Sequence, residues 1–289
     1  RARRNIPDPH QRGRLGGDRV DGLAGAGRLM SVEALPFVNW IFWAALSAGT
    51  LLVVGVTELL GGTTSGYRLF MAWLLAAFAA VLLLSELSLS AGTALDASTA
   101  GTRRVLVLAF VAVTVAYLIA SMARWPRSGL AIAGGLVGVL ALATLAAGSP
   151  TFSPLLFSVQ LALAALALGA VNAAMLLGHW YLVTPKLSPT PLRRMMWLLL
   201  VALLRQVVIF VVAVVTVSSG PLGGPIGWLT WLRLAVGILL PIGITVLAIL
   251  ASRAPSLQAS TGLLYIGLAF IMAGAIAGAS ITYLTGVPI

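Results

Sequence analysis

Apolar residues run along this chain in eight long blocks, near residues 36–60, 67–89, 103–123, 128–148, 154–183, 191–219, 228–252 and 257–285. A helix needs about 20 apolar residues to cross a hydrocarbon layer of roughly 30 Å, and every block reaches that length. The breaks between them are short and carry helix-stopping residues: Gly61-Gly62, Trp125-Pro126, Gly148-Ser149-Pro150 and Gly220-Pro221. Only the 90–102 connection, with Asp96 in it, is longer. The pattern predicts an all-α, polytopic integral membrane protein with eight transmembrane helices. Residues 30–289 form its single membrane domain, and no soluble domain has room to exist.

Composition agrees and narrows the chemistry. Of 289 residues, 60% are hydrophobic and 9% charged, too few charges for the surface of a soluble domain of this length. Cysteine is absent, which removes disulfides, thiolate metal sites and a cysteine nucleophile. The net charge of +11 is unevenly spread. Residues 1–29 carry seven arginines and three aspartates without hydrophobic periodicity, and read either as a disordered basic tail or as a segment upstream of a start at Met30. Beyond Asp96 no acidic residue occurs at all. Paired-carboxylate hydrolysis, Asp-rich magnesium sites and carboxylate metal clusters all need acids that the second half lacks. No Ser-His-Asp set, phosphate-binding glycine loop or metal constellation is present, so an enzyme acting alone is not expected.

The remaining charges orient the helices. Loops after spans 1, 3, 5 and 7 hold Arg68; Arg124 and Arg127; Lys186, Arg193 and Arg194; and Arg253, whereas the opposite loops hold only Arg103 and Arg104. By the positive-inside rule the first set is cytoplasmic, and the expected location is the cytoplasmic membrane of a bacterium. Small residues mark close helix contacts: Ala45, Ala48 and Gly49 in span 1, Gly134 and Gly138 in span 4, Gly274 and Gly278 in span 8. A faint echo links span 1 through Gly61 to Arg68, Met71 and Trp73 with span 5 through Gly178 to Arg194, Met195 and Trp197. It predicts two parallel four-helix halves.

An ionisable side chain inside a span is costly, so each one is a candidate site. Arg205 lies ten residues beyond Met195, about 15 Å along a helix and close to the midplane. It reads either as a cavity or ligand arginine, with Asn172 of span 5 a plausible neighbour, or as a structural one satisfied by carbonyls. Glu86 and Arg233 sit at similar depth near the outer face and are expected to form a structural ion pair. Glu58 and Arg68 flank the first cytoplasmic turn, where snorkelling accounts for both, and Glu58 is the one inner-face carboxylate able to take up a proton. His179, at the cytoplasmic end of span 5, has Met175 and Asn172 on its own face, is a natural proton exchanger, and stands beside Trp180 and Tyr181 of an aromatic belt. One histidine cannot ligate a haem from both sides, so no haem is expected. Gly237 and Pro241 break span 7.

The opening aromatic-to-small run Trp40 to Gly49 (WIFWAALSAG), the eight spans with a 4+4 division, and the acids near the ends of spans 1 and 2 resemble the quinone-interacting membrane subunits of the NrfD, PsrC and DmsC type. The likeness covers topology more than sequence. It implies a haem-free subunit that passes electrons or protons between quinol and a peripheral iron-sulfur or other redox partner. Glu58, His179 and Arg205 would then be the proton-exchange and headgroup candidates and quinone the implied ligand; Asn172 and Tyr181, next to Arg205 and His179, complete the ligand candidates read from the chain itself. Two functions of other classes stay open. A small-molecule or ion permease predicts a through-going cavity around Arg205, Glu86 and the broken span 7; an assembly protein predicts internal pairing of the polar residues. The lipid bilayer is the expected partner in every case, and nucleic acid in none.

Overall fold

The computed structural model describes residues 34–89, 98–149, 152–184, 187–216, 222–224, 226–253 and 257–289. The 1–29 segment, Asp96, Pro150, Lys186 and Pro221 lie outside the described residues. Eight helices are long and apolar enough to cross a membrane, and they match the predicted blocks to within three residues at either end. They are α1 Ala34–Leu60, α2 Ser65–Ser88, α3 Ala100–Met122, α4 Ser128–Gly148, α5 Pro154–Val183, α6 Thr190–Thr216, α7 Gly227–Ala251 and α8 Leu257–Thr285. The chain is an integral, multi-pass membrane protein built as an all-helical bundle, and Pro36–Ile289 forms one compact unit.

Two helices organise it. Within their most apolar stretches α1 is 78% and α5 72% buried, against 44% or less for every other helix, so these two are the inner pair and the other six lie on the outside of the bundle. They cross where both backbones are bare: a Cβ on Gly49 would overlap the Ala165 carbonyl, and one on Gly169 would overlap the Gly49 carbonyl and Thr50 nitrogen. Just along the crossing, Asn172 donates to Thr50 at 3.2 Å. Lipid supplies no hydrophobic drive between helices, so such close approach and buried hydrogen bonds are what hold them together. Among the first four helices α2 packs on α3 and α3 on α4; among the last four α6 and α8 both pack on α5, and α7 on both of them.

The small residues singled out in the sequence all sit at contacts. Gly134 of α4 faces Leu51 and Val113, Gly138 faces Ala48 and Phe110, and Gly274 of α8 meets Gly237 of α7 backbone to backbone. The predicted break in α7 takes a definite form. Pro241 has no N–H and its ring crowds the carbonyl four residues back, that of Gly237. The preceding turn widens into a π-helical segment, Ala235–Leu239, which relieves that crowding.

At the end of the bundle where α1 meets α2, side chains tie the turns down. Arg194 donates to the Leu60 carbonyl at 3.2 Å, and Arg193 reaches the Ser252 carbonyl at 2.5 Å. Trp180 of α5 lies over Gly66, with its ring near those of Tyr67 and Phe70. The Tyr67 hydroxyl donates to the Ala173 carbonyl at 3.0 Å, joining α2 to α5. At the other end Glu86 and Arg103 join α2 to α3.

Candidate functional site

A cleft of about 620 Å³ opens at the basic end of the bundle between the α1–α2 and α3–α4 turns, lined among others by Glu58, Ser65, Arg68, Arg124, Arg127 and Ser128. That volume falls within the range of small-ligand sites. Three guanidinium groups face one carboxylate there, and the carboxylate is already engaged. Glu58 pairs with Arg127 at 3.3 Å and accepts a hydrogen bond from the Tyr117 hydroxyl at 2.8 Å, with its side chain 4% exposed. Glu58 therefore clamps the end of α1 to α3 and to the start of α4. Arg68 and Arg124 remain as positive charge in excess, and the Arg68 Nε is buried with no hydrogen-bond partner among the described residues.

Backbone groups add to this field. The N-termini of α2, at Ser65 and Gly66, and of α4, at Ser128, both border the cleft. A helix N-terminus presents unsatisfied N–H groups and about half a positive charge. Thr64 caps only Tyr67 at the start of α2, and Arg127 makes no side-chain cap at the start of α4. Two helix N-termini and two uncompensated arginines converging on one opening form an anion-binding arrangement.

Arg124 reaches the cleft by an unfavourable backbone. The chain leaves α3 through a Schellman turn, in which the Trp125 N–H bonds the Ala120 carbonyl at 2.9 Å and the Arg124 N–H bonds the Ser121 carbonyl at 3.4 Å. The residue at this position takes a left-handed conformation, and Arg124 has φ 59°, the only non-glycine positive φ among the described residues. Glycine would sit there without strain, whereas a side chain costs roughly 1–2 kcal/mol. Arginine here holds a guanidinium over the cleft at the expense of turn stability, which is how strain accumulates at functional positions.

The structure does not gather the residues that the sequence put forward. Arg205 lines neither of the two cavities found among the described residues. It is exposed on the outer face of α6 with Val201, Leu204 and Val208, and makes no hydrogen bond or ion pair to a described residue. Asn172, its expected neighbour, is spent on Thr50. Glu86 and Arg233 do not pair. Glu86 takes a two-pronged contact from Arg103, Nε to Oε2 at 3.0 Å and Nη2 to Oε1 at 3.0 Å, with Arg104 at 3.9 Å. Arg103 begins α3 directly after the connection from α2, so chain proximity supplied a nearer cation than α7. Arg233 is buried and donates instead to the Gln206 side chain and the Ile289 main-chain oxygen. His179 is exposed at the basic end and meets the Tyr265 hydroxyl at 3.1 Å. Tyr181 is buried and donates to the Ser188 carbonyl at 2.8 Å, closing the α5–α6 turn. Of the candidates, only Glu58 belongs to the cleft.

Arg68, Arg124 and Arg127 were read from the sequence as topology markers, because positive charge at a loop is what orientation alone demands, and Tyr117 was not singled out. One signal was available: an arginine rather than glycine after Met122-Ala123, at the end of an apolar block. A further cavity of about 30 Å³ lies between Gln160 and Arg233, and both ends of the Gln160 amide are buried there without a partner among the described residues. That space suits an ordered water. Among the described residues no three histidines or acids come together as metal ligands. No protein-family model matches the chain, and no curated protein is significantly similar to it.

Proposed function

We propose that this protein is a membrane-embedded anion-binding protein, and that its ligand carries a phosphate-type group held in the cleft at the basic end of the bundle. The observation that carries the reading is the convergence of Arg68, Arg124 and the α2 and α4 N-termini on one opening, with Glu58 already neutralised by Arg127. Guanidinium groups bind phosphate through paired N–H donors, and backbone N–H groups supply the rest of the cradle. The ligand is either the headgroup of an anionic lipid or a soluble phosphate compound. An anion is also the substrate class expected of a permease.

The test uses the purified protein in nanodiscs. Inorganic phosphate and a soluble phosphomonoester are titrated by calorimetry into discs of neutral lipid, and anionic phospholipid is titrated separately into the lipid mixture. Arg68→Leu and Arg124→Gly should each weaken binding about tenfold or more, as loss of a charge-assisted hydrogen bond does. Arg124→Gly should at the same time raise the unfolding temperature, because it relieves a left-handed side chain worth about 1 kcal/mol. Weaker binding in a more stable protein cannot be blamed on misfolding. Equal affinity in the wild type and both variants, for lipid and for soluble phosphate, would refute the reading.

A second reading has one observation behind it. Imidazole and phenol hydroxyl groups hydrogen-bond carbonyl oxygens, and His179 and Tyr265 stand 3.1 Å apart on the exposed surface toward the basic end of the bundle. That pair supports the quinone-interacting subunit implied by the resemblance. Lipid extracts of the purified protein should then contain quinone in near-stoichiometric amount, lost in His179→Leu; extracts free of quinone would end this reading.

A further inference from the structure

Arg205 is a permanently charged group exposed in the middle of a membrane span. Trp197 is exposed eight residues before it, and α6 ends at Thr216. Those two levels lie about 29 Å apart at the helical rise, close to the thickness of the hydrocarbon layer, with Trp197 at the depth of an aromatic belt. Arg205 is about 12 Å from one level and about 17 Å from the other. An arginine near a helix end snorkels to water, but from this depth neither interface is within easy reach. Its neighbour Gln206 turns inward to Arg233, so the bundle satisfies one deep arginine and leaves the next residue's charge outside.

We propose that the outer face of α6 docks a transmembrane helix of a different polypeptide, one that carries an aspartate or glutamate at the depth of Arg205. Val201, Leu204, Val208 and Val211 form the apolar stripe around the charge, all of them exposed. Charge complementarity selects the partner. A guanidinium in hydrocarbon is stabilised by a carboxylate, and intramembrane charges are kept where they pair. A second copy of this chain does not supply one. The sequence has no acidic residue after Asp96, so α3 to α8 carry none, and α1 and α2 contain only Glu58 and Glu86. Those two side chains are 4% and 1% exposed and already ion-paired. The inference is independent of the anion cleft, which lies at the end of the bundle on other helices.

Two measurements test it. In vesicles, the full chain is mixed with a leucine-rich single-span peptide bearing one central aspartate, and with its all-leucine counterpart, and association is read by energy transfer. The aspartate peptide should bind about tenfold tighter, in line with polar contacts between membrane helices. The preference should vanish in Arg205→Leu and persist in Arg205→Lys. No preference in the wild type, or one that survives Arg205→Leu, overturns the proposal. In membranes of the source organism, a photo-cross-linking residue at Val208 should give one discrete protein adduct, lost in Arg205→Leu and also when the captured protein's intramembrane carboxylate is changed to its amide. Adducts to lipid alone, to another copy of this chain, or to a protein with no carboxylate in its span overturn it. Unchanged unfolding temperature of Arg205→Leu confirms that the variant is folded in both experiments.

Discussion

Gly169→Ala should destabilise the bundle by on the order of 3 kcal/mol and lower its unfolding temperature in detergent, followed by tryptophan fluorescence. The added methyl has no free space, since it would coincide with the main chain of Gly49 and Thr50. Backbone cannot rotate away as a side chain does, so α1 and α5 must separate along their crossing. That separation also stretches the Asn172 to Thr50 hydrogen bond, 3.2 Å long in the folded state. Both helices are core to the fold, which makes the penalty global. Gly262→Ala in α8 is the control, because nothing lies within 4 Å of the position its methyl would take. It should leave stability unchanged or raise it by up to about 1 kcal/mol through helix propensity. Equal behaviour of the two variants would show that α1 and α5 do not meet at these glycines.

Glu86→Leu should cost about 3 kcal/mol, and Glu86→Leu combined with Arg103→Met should recover most of the loss. Glu86 is 1% exposed and Arg103 4% exposed, and two hydrogen bonds of 3.0 Å join them. The Arg103 guanidinium also lies 5.2 Å from the centre of the buried Trp40 ring. Removing only the carboxylate takes its closest described anion from a buried cation, a loss partly relieved by that ring. Removing both leaves apolar groups of similar size, which pack without a charge to compensate. Arg233→Met should show no coupling to Glu86→Leu in the same thermal assay, because the two residues do not touch. Strong coupling between them would restore the pairing that depth alone suggested.

The contrast between Arg205 and Gln206 shows why helices were legible in the sequence and their faces were not. In a soluble bundle, polar residues mark the outside and apolar ones the inside. In α6 both surroundings are apolar, so Val201, Leu204 and Val208 on the lipid side look like Leu199, Ala202 and Leu203 on the buried side. A step of about 100° per residue separates positions 205 and 206, and nothing local says which of the two points inward. The charged residue drew attention as the costlier one to place, yet the neutral amide holds the buried position. The same ambiguity hid the cleft. Its arginines lie in turns, where orientation rules already account for basic residues, and only the folded chain sets Arg68 and Arg124 around a single opening.

Glu58 is the intermediate case. Its candidacy came from being the lone acid on its face, and it does line the cleft, where it pairs with Arg127 and accepts a hydrogen bond from Tyr117. The small residues Gly49, Gly134, Gly138 and Gly274 were legible as contact points because a missing side chain has one use where helices must approach. Their partners Gly169 and Gly237 were recognisable only by position in space.

The number, length and boundaries of the spans follow from the sequence by itself, because the cost of exposing backbone and polar groups to hydrocarbon is paid locally, residue by residue along each helix. Which helices lie innermost, which cation Glu86 meets, that Arg205 faces outward and that two arginines and two helix ends share one cleft were decided only by the tertiary structure. These depend on packing between segments far apart in the chain, and in a bilayer that packing leaves almost no trace in the polarity of the sequence.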